Sequence, residues 1–420
     1  MKADLIIKNI GNLITMRGEN KPRVKESMKD IEIIKDGYVA IKDGKILDLG
    51  KGLNEDLIGN DTQVHDAKGL TVTPGLIDAH THLVHGGSRE NEFSLKISGV
   101  PYLDILKNGG GILSTVRATK SASFDELYNK AKKSLNTMLS YGTTTVEAKS
   151  GYGLDIDTEI KQLEVAKKLN EDHPVDIVST FMGAHAIPTE YKGNPEEYVN
   201  IVINEMMPRV KELDLAEFCD VFCEDAVFTV DQTRRILNSA KELGFKVKLH
   251  ADEIVSLGGA ELSAELKAIS ADHLMAASEQ GMREMAQNNV IANLLPGTSF
   301  SLMKNYADAR KMIELGVPVS LSTDYNPGSC PTENIQFIMQ LGSLGLKMTP
   351  SEVLTAVTIN AAFAIDKADQ IGSLDIGKKA DLVIFDAPNI EYIIYHFGIN
   401  HVDRVYKEGK LVVENGNVVY

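Results

Sequence analysis

The chain reads as an α/β protein: a (β/α)₈ barrel, TIM-like, carrying a small β-sandwich assembled from its two terminal segments. Three observations predict this. Between residues 68 and 369, eight apolar runs of strand length alternate with stretches of helical periodicity, which implies a parallel sheet, and eight such units imply closure. Residues 1–67 and 370–420 are instead short β-prone runs broken by tight turns, and neither half has enough apolar residues to make a sheet domain alone. No GxGxxG opens a helix after the first strand, which disfavours an open doubly wound sheet.

In chain order, Ala3 to Ile10, Leu13 to Met16 and Ile31 to Ile34 are β-rich, and Tyr38 to Leu49 folds on itself about Asp43-Gly44, a two-residue hairpin signal. Thr71 to Ile77 is an apolar run with a Pro-Gly break at Pro74 and Gly75, leading into His80-Thr81-His82. The further barrel strands are expected at Thr143 to Ala148, Asp176 to Gly183, Phe218 to Phe222, Lys246 to Leu249, Ala268 to Ala271, Val290 to Leu295 and Val317 to Ser322. Residues 156–170, 231–243, 305–315 and 350–364 carry helical periodicity. Asp381 to Phe385 is a strand, and Val405 to Tyr420 a hairpin series with turns at Glu408-Gly409 and Asn415-Gly416. Gly109-Gly110-Gly111 has no following Lys-Ser/Thr, so it reads as a lid or tight turn and not as a phosphate loop.

Bulk properties narrow the function. Hydrophobic content of 43% and charged content of 25% are those of a soluble globular chain. A net charge of −15 argues against nucleic acid or an anionic membrane as partner, and leaves a small molecule. With no 18-residue apolar run and no basic-then-apolar amino terminus, a cytoplasmic enzyme is expected. The three cysteines, Cys219, Cys223 and Cys330, suggest neither a disulfide framework nor a zinc knot.

In such a barrel chemistry gathers where the strands end. Five of the ten histidines fall there: His80 and His82 on one face of the first strand, since alternate residues point together, then His185, His250 and His273. Three neutral imidazoles plus a carboxylate suit zinc or iron with one position left for water, and His80, His82, His250 and Asp324 meet that count. The expected cofactor is one divalent or ferric ion per chain. Glu253, three residues past His250, could take a proton from the water, and His273 could hold the water or polarise a carbonyl; Asp324 is a third candidate for moving protons. The plainer alternatives are a first-turn helix acid for Glu253 and a satisfied core residue for His273.

The HxH strand, the late His, the Asp on the last strand and the composite sandwich resemble the amidohydrolase superfamily. PGLIDAHTHL and GKKADLVIFD resemble its signature segments at the two domain junctions. HTHLVHGGSRENEF, KSGYGL, FMGAHAIP, FCDVFCE, LHADE, ADHL and STDYNPGS, spread over residues 80–329, resemble the branch that opens an imidazolone ring in histidine degradation. The resemblance implies hydrolysis of 4-imidazolone-5-propanoate to N-formimidoyl-L-glutamate; a homodimer is expected. It also implies that Arg89, Tyr152, His185, Glu253 and Ser329 bind substrate and that Asn326 and Gly328 contact the product. Arg89 is independently suited to a propanoate, which a guanidinium can clamp with two hydrogen bonds. Residues 326–329 lead into a helix expected near Pro331-Thr332-Glu333, where exposed backbone N–H groups would suit an anion.

Binuclear relatives carry a bridging group, commonly a carboxylated lysine, at the end of the fourth strand. This chain has Glu224 there, so a single metal with a structural Glu224 is expected, and Lys149 is assigned no metal role. The nearest rival is a deaminase of a heterocyclic base on the same barrel, which needs no clamp for a substrate carboxylate; Arg89 separates the two.

Overall fold

A computed structural model describes residues 1–100 and 110–420. Gly109 of the expected glycine turn lies outside the described residues, while Gly111, with φ +77°, caps the helix Ile112–Ser121.

Eight parallel strands follow one another around the barrel in chain order: Leu76–Thr81, Thr143–Lys149, Asp176–Ala184, Phe218–Cys223, Lys246–Ala251, Ser270–His273, Ile291–Leu294 and Val319–Leu321. The last meets the first through Asp324 N–H to His80 O (3.1 Å) and His82 N–H to Tyr325 O (2.9 Å). Just below, Asp78 accepts from the Thr323 backbone (3.0 Å) and hydroxyl (2.6 Å). Closure therefore runs through the residues on either side of the predicted site.

The terminal segments form one nine-stranded sheet. Leu5–Ile14, Ile33–Lys42, Lys45–Lys51 and Gln63–Asp66 come from the first, and Leu382–Phe385, Val402–Lys407, Lys410–Glu414 and Asn417–Val418 from the last. Thr71–Pro74 joins them, parallel to Leu5–Ile14 and antiparallel to Leu382–Phe385. Ile7, Ile10, Leu13, Val39, Val72, Leu382, Ile384 and Tyr406 bury a shared core, so each terminus supplies what the other lacks.

Several elements differ from expectation. The run Thr71 to Ile77 is two strands in two sheets. Pro74 lacks an N–H to continue a ladder, and the following Gly75 lies so close to Thr144 that a Cβ would fall 2.1 Å from its Oγ1. Ala3 to Ile10 and Leu13 to Met16 are one strand with a bulge between Ile7 and Ile10, where Asn9 turns to φ +54°. Residues 350–364 break into Pro350–Ala356 and Ile359–Ala364. The helix expected near Pro331 starts at Ile335, capped by the Asn334 side chain. The 17-residue helix Phe124–Ser140 was not expected, although its capping box, Ser123 with Glu126, is a sequence signal. Among the described residues no helix is long and apolar enough to cross a membrane, and the three cysteines are buried and unpaired.

Candidate metal centre and substrate pocket

The strand ends bring His80, His82, His185, His250, His273 and Asp324 into one buried cluster. His80, His82 and Asp324 offer ligand atoms within 4.8 Å of one another; so do His80, His250 and His273, and His82, His185 and His250. His80 Nε2 lies 3.4 Å and His82 Nε2 3.7 Å from Asp324 Oδ1. Around a tetrahedral ion with bonds near 2.1 Å, neighbouring ligand atoms lie about 3.4 Å apart, so the spacing suits a small cation.

Three of the four ligand candidates are held from behind; His82 Nδ1 is buried without a hydrogen-bond partner. His80 donates Nδ1–H to Asp272 Oδ2 at 2.5 Å, and His250 donates Nδ1–H to Asp220 Oδ1 at 3.1 Å. That fixes the tautomer with the Nε2 lone pair free, and the Nε2 atoms of both are buried without a hydrogen-bond partner. Asp324 is divided in the same way: Oδ2 accepts from Thr298 (2.5 Å) and Ser329 (3.3 Å), while Oδ1 faces His80 and His82. Burial holds His80, His82 and His273 well below the usual imidazole range and His185 at about 3, so these rings are neutral and able to ligate. Burial opposes the charged form of His250 too, but the Asp220 carboxylate outweighs it and raises the ring. Orphaned buried nitrogens, neutral rings and an oxygen kept apart fit a metal ion.

Glu253 stands on the loop after the fifth strand. Asp252 turns the chain at φ +48° and accepts from the N–H groups of Leu257, Gly258, Gly259 and Ala260, so Asp252, not Glu253, caps the next helix. Glu224 accepts from Ile254 N–H at 2.8 Å and pins the other side. Glu253 Oε2 is left 3.6 Å from His273 Nε2. Burial, with the Asp324 charge adding, pushes its carboxyl up to about 8. His185 stacks on His82 at 4.7 Å and 10° and donates Nδ1–H to Gly151 O at 3.0 Å. Tyr152 packs against both rings.

Arg89 is committed on one edge. Its Nε and Nη2 donate to Glu92 Oε2 at 3.0 and 2.7 Å, and Glu92 Oε1 accepts from Gly111 N–H and Ser114. Nη1 lies against Gly328, where a Cβ would fall 2.1 Å away. A carboxylate would therefore meet the Nη edge. The backbone N–H groups of Gly328 and Ser329 are not open to an anion as expected, because Asn326 Oδ1 accepts both at 2.8 Å.

A model of the amidohydrolase family matches residues 71–412. The chain belongs to that family. Imidazolonepropionase of Alkaliphilus metalliredigens (strain QYMF) is 63% identical, with 100% of each chain covered. Imidazolonepropionase of Fusobacterium nucleatum subsp. nucleatum is 61% identical, over 98% of this chain and 99% of the relative. In fold the chain resembles an adenosine deaminase from Xanthomonas campestris, solved with bound zinc (TM-score 0.74, 18% identity, 100% of this chain and 94% of that one). As an amidohydrolase, it carries its His/Asp group where the family's barrel presents chemistry. Asp220, Glu92 and Thr298 escaped the sequence reading, and Asp272 entered it only as a strand-end residue with no role. Of the three that escaped, Asp220 alone left a signal, as a charge inside an otherwise apolar strand.

Proposed function

We propose that the protein hydrolyses the ring amide of 4-imidazolone-5-propanoate to N-formimidoyl-L-glutamate in histidine degradation, using one divalent or ferric ion, zinc or iron. Full-length identity of 63% to an imidazolonepropionase is the observation that carries this reading. In it, His80, His82, His250 and Asp324 hold the ion, which when bound supplies Lewis acidity and a water acidic near neutral pH.

The chain's own groups do the rest. Glu253 takes the proton of the attacking water and returns it to the ring nitrogen as the carbonyl C–N bond breaks; the water oxygen stays on the carbonyl carbon as the new carboxylate. His273, 3.6 Å from Glu253, donates to the carbonyl oxygen as charge builds on it. The Nη edge of Arg89 takes the propanoate, and Tyr152 and His185 wall the ring. Asn326, Gly328 and Ser329 form the turn against which the product rests. The division into residues 1–67, 68–369 and 370–420, the homodimer and the cytoplasmic setting belong to the same reading. The two sheets support the division.

Metal analysis of purified protein with a turnover assay on imidazolone propionate tests it. About one ion per chain and formation of N-formimidoyl-L-glutamate are expected. No turnover of that substrate, with ammonia released from cytosine or guanine, would replace it with the deaminase reading, which at present has only likeness of fold behind it.

A further inference from the structure

Beneath the histidines the barrel interior is charged. Glu147 and Lys149 on the second strand, Asp220 on the fourth, Lys248 on the fifth and Asp272 on the sixth are all fully buried. Buried ions are costly even when paired, and apolar side chains of similar volume usually serve stability as well or better. Packing alone gives no reason for such a group.

Lys149 is its centre. Its Nζ lies 2.7 Å from Asp220 Oδ2, 2.9 Å from Glu147 Oε1 and 3.6 Å from Asp272 Oδ2. Both aspartates also hold an imidazole, Asp220 that of His250 and Asp272 that of His80. Those rings come from the fifth and first strands, which do not pair with each other, yet their centroids are 4.6 Å apart and both Nε2 atoms are unpartnered. One ammonium group thus joins the supports of two ligands that no backbone ladder links directly.

We propose that Lys149 is a positioning residue for the metal centre: by gripping Asp220 and Asp272 together it sets the spacing of His80 and His250, and with it the affinity and geometry of the bound ion. The inference rests on the ligand set proposed above. If Lys149 only balanced charge, removing it along with one carboxylate that hydrogen-bonds to neither imidazole would leave metal binding unchanged. Glu147 is that carboxylate: its Oε1 accepts from Lys149 and Thr180, an amide there can still accept from Thr180, and its Oε2 lies 3.0 Å from Lys248 Nζ.

The test compares the full-length parent, the charge-balanced K149M/E147Q, K149Q and H80A, each stripped of metal. Three quantities are read: Zn²⁺ affinity by competition with a chromophoric chelator, the visible spectrum of the Co²⁺-loaded protein, and thermal unfolding without metal. K149M/E147Q is expected to unfold cooperatively when metal-free, to bind Zn²⁺ about 10- to 100-fold more weakly, and to show a shifted cobalt band. K149Q should fall between it and the parent, and H80A should lose the ion. Parental affinity and spectrum in both Lys149 variants, with metal lost in H80A, would overturn the proposal and leave the ligand set standing. Parental binding in H80A would instead remove the ligand set, and the proposal with it. Should K149M/E147Q fail to fold, K149Q decides: parental affinity there refutes the positioning role.

Discussion

Glu253 has an acidity matched to its proposed task. Burial and the nearby Asp324 push it up to about 8, and a cation beside it would draw it back toward neutrality, where a base works best. The rate should fall as pH drops through its pKa, because only the ionised form accepts a proton. Glu253→Gln is expected to keep metal content and near-parental KM, lower kcat at least about a hundredfold and flatten the acid limb of the pH–rate profile. Loss of metal in that variant would make Glu253 a ligand, and unchanged kcat would move the proton to His273 or Asp324. For Arg89, replacement by Ala should raise KM about 10- to 100-fold, since a hydrogen bond to a charged group is worth about 1.5–3 kcal/mol. Arg89→Lys should recover only part of this. Unchanged KM in Arg89→Ala would mean the propanoate binds elsewhere. A candidate clamp was legible in the guanidinium from its position after HxH. Its commitment to Glu92 was not, because that pairing depends on how the following helix turns back.

At the scale of elements, the site is made by strands that stop abruptly. Asp252, His273 and Asp324 take φ of +48°, +76° and +57° at the ends of strands five, six and eight, conformations that cost non-glycine residues about 1–3 kcal/mol and gather at functional sites. The entry to the first strand is equally constrained. Gly75 passes Thr144 with no room for a side chain, so Gly75→Ala must push the second strand aside or shift the first. A loss of about 1–3 kcal/mol in chemical denaturation is expected, as for other overpacked sites. Parental stability would show that the Pro74-Gly75 link yields freely. The break was readable as Pro-Gly. That it divides one apolar run between two sheets was not, since Thr71–Pro74 is claimed by Leu382–Phe385 from the far end of the chain.

Across the whole molecule, a bound ion and proton uptake both couple to folding. A ligand that binds only the folded state adds RT ln(1 + [L]/Kd), about 2.7 kcal/mol at a hundred times Kd. Removing metal with a chelator should lower Tm, and restoring zinc should reverse it; an unmoved Tm would mean that no ion is held tightly. His173 is not among the clustered histidines. It donates Nε2–H toward Asn136 and accepts Val175 N–H at Nδ1 (both 3.1 Å), and burial, with Lys132 adding, holds it at about 4. Unfolded histidine titrates near 6.5, so between pH 6.5 and 4 the unfolded state binds more protons and stability falls as pH falls. His173→Gln should flatten that slope in metal-free protein by an amount on the order of 1–3 kcal/mol. An unchanged slope would place acid sensitivity elsewhere.

The eight strands, the Asp43-Gly44 hairpin and the pairing of His80 with His82 on one face could be read from residues alone, because each depends on side-chain period or turn chemistry within a few positions of the chain. That His250 and Asp324 gather with His80 and His82 at one end of the barrel needed only the rule that chemistry collects at strand ends. Which atoms those side chains present was settled by closure of the barrel. Asp272 behind His80, Asp220 behind His250 and Thr298 behind Asp324 are neighbours only once strands distant in sequence lie side by side. The sheet at the termini follows the same logic: its two halves were visible separately as strands too poor in apolar residues to stand alone, but their register appears only where Val72 meets Ile384. Local pattern constrains each strand's faces, and long-range packing decides which faces meet.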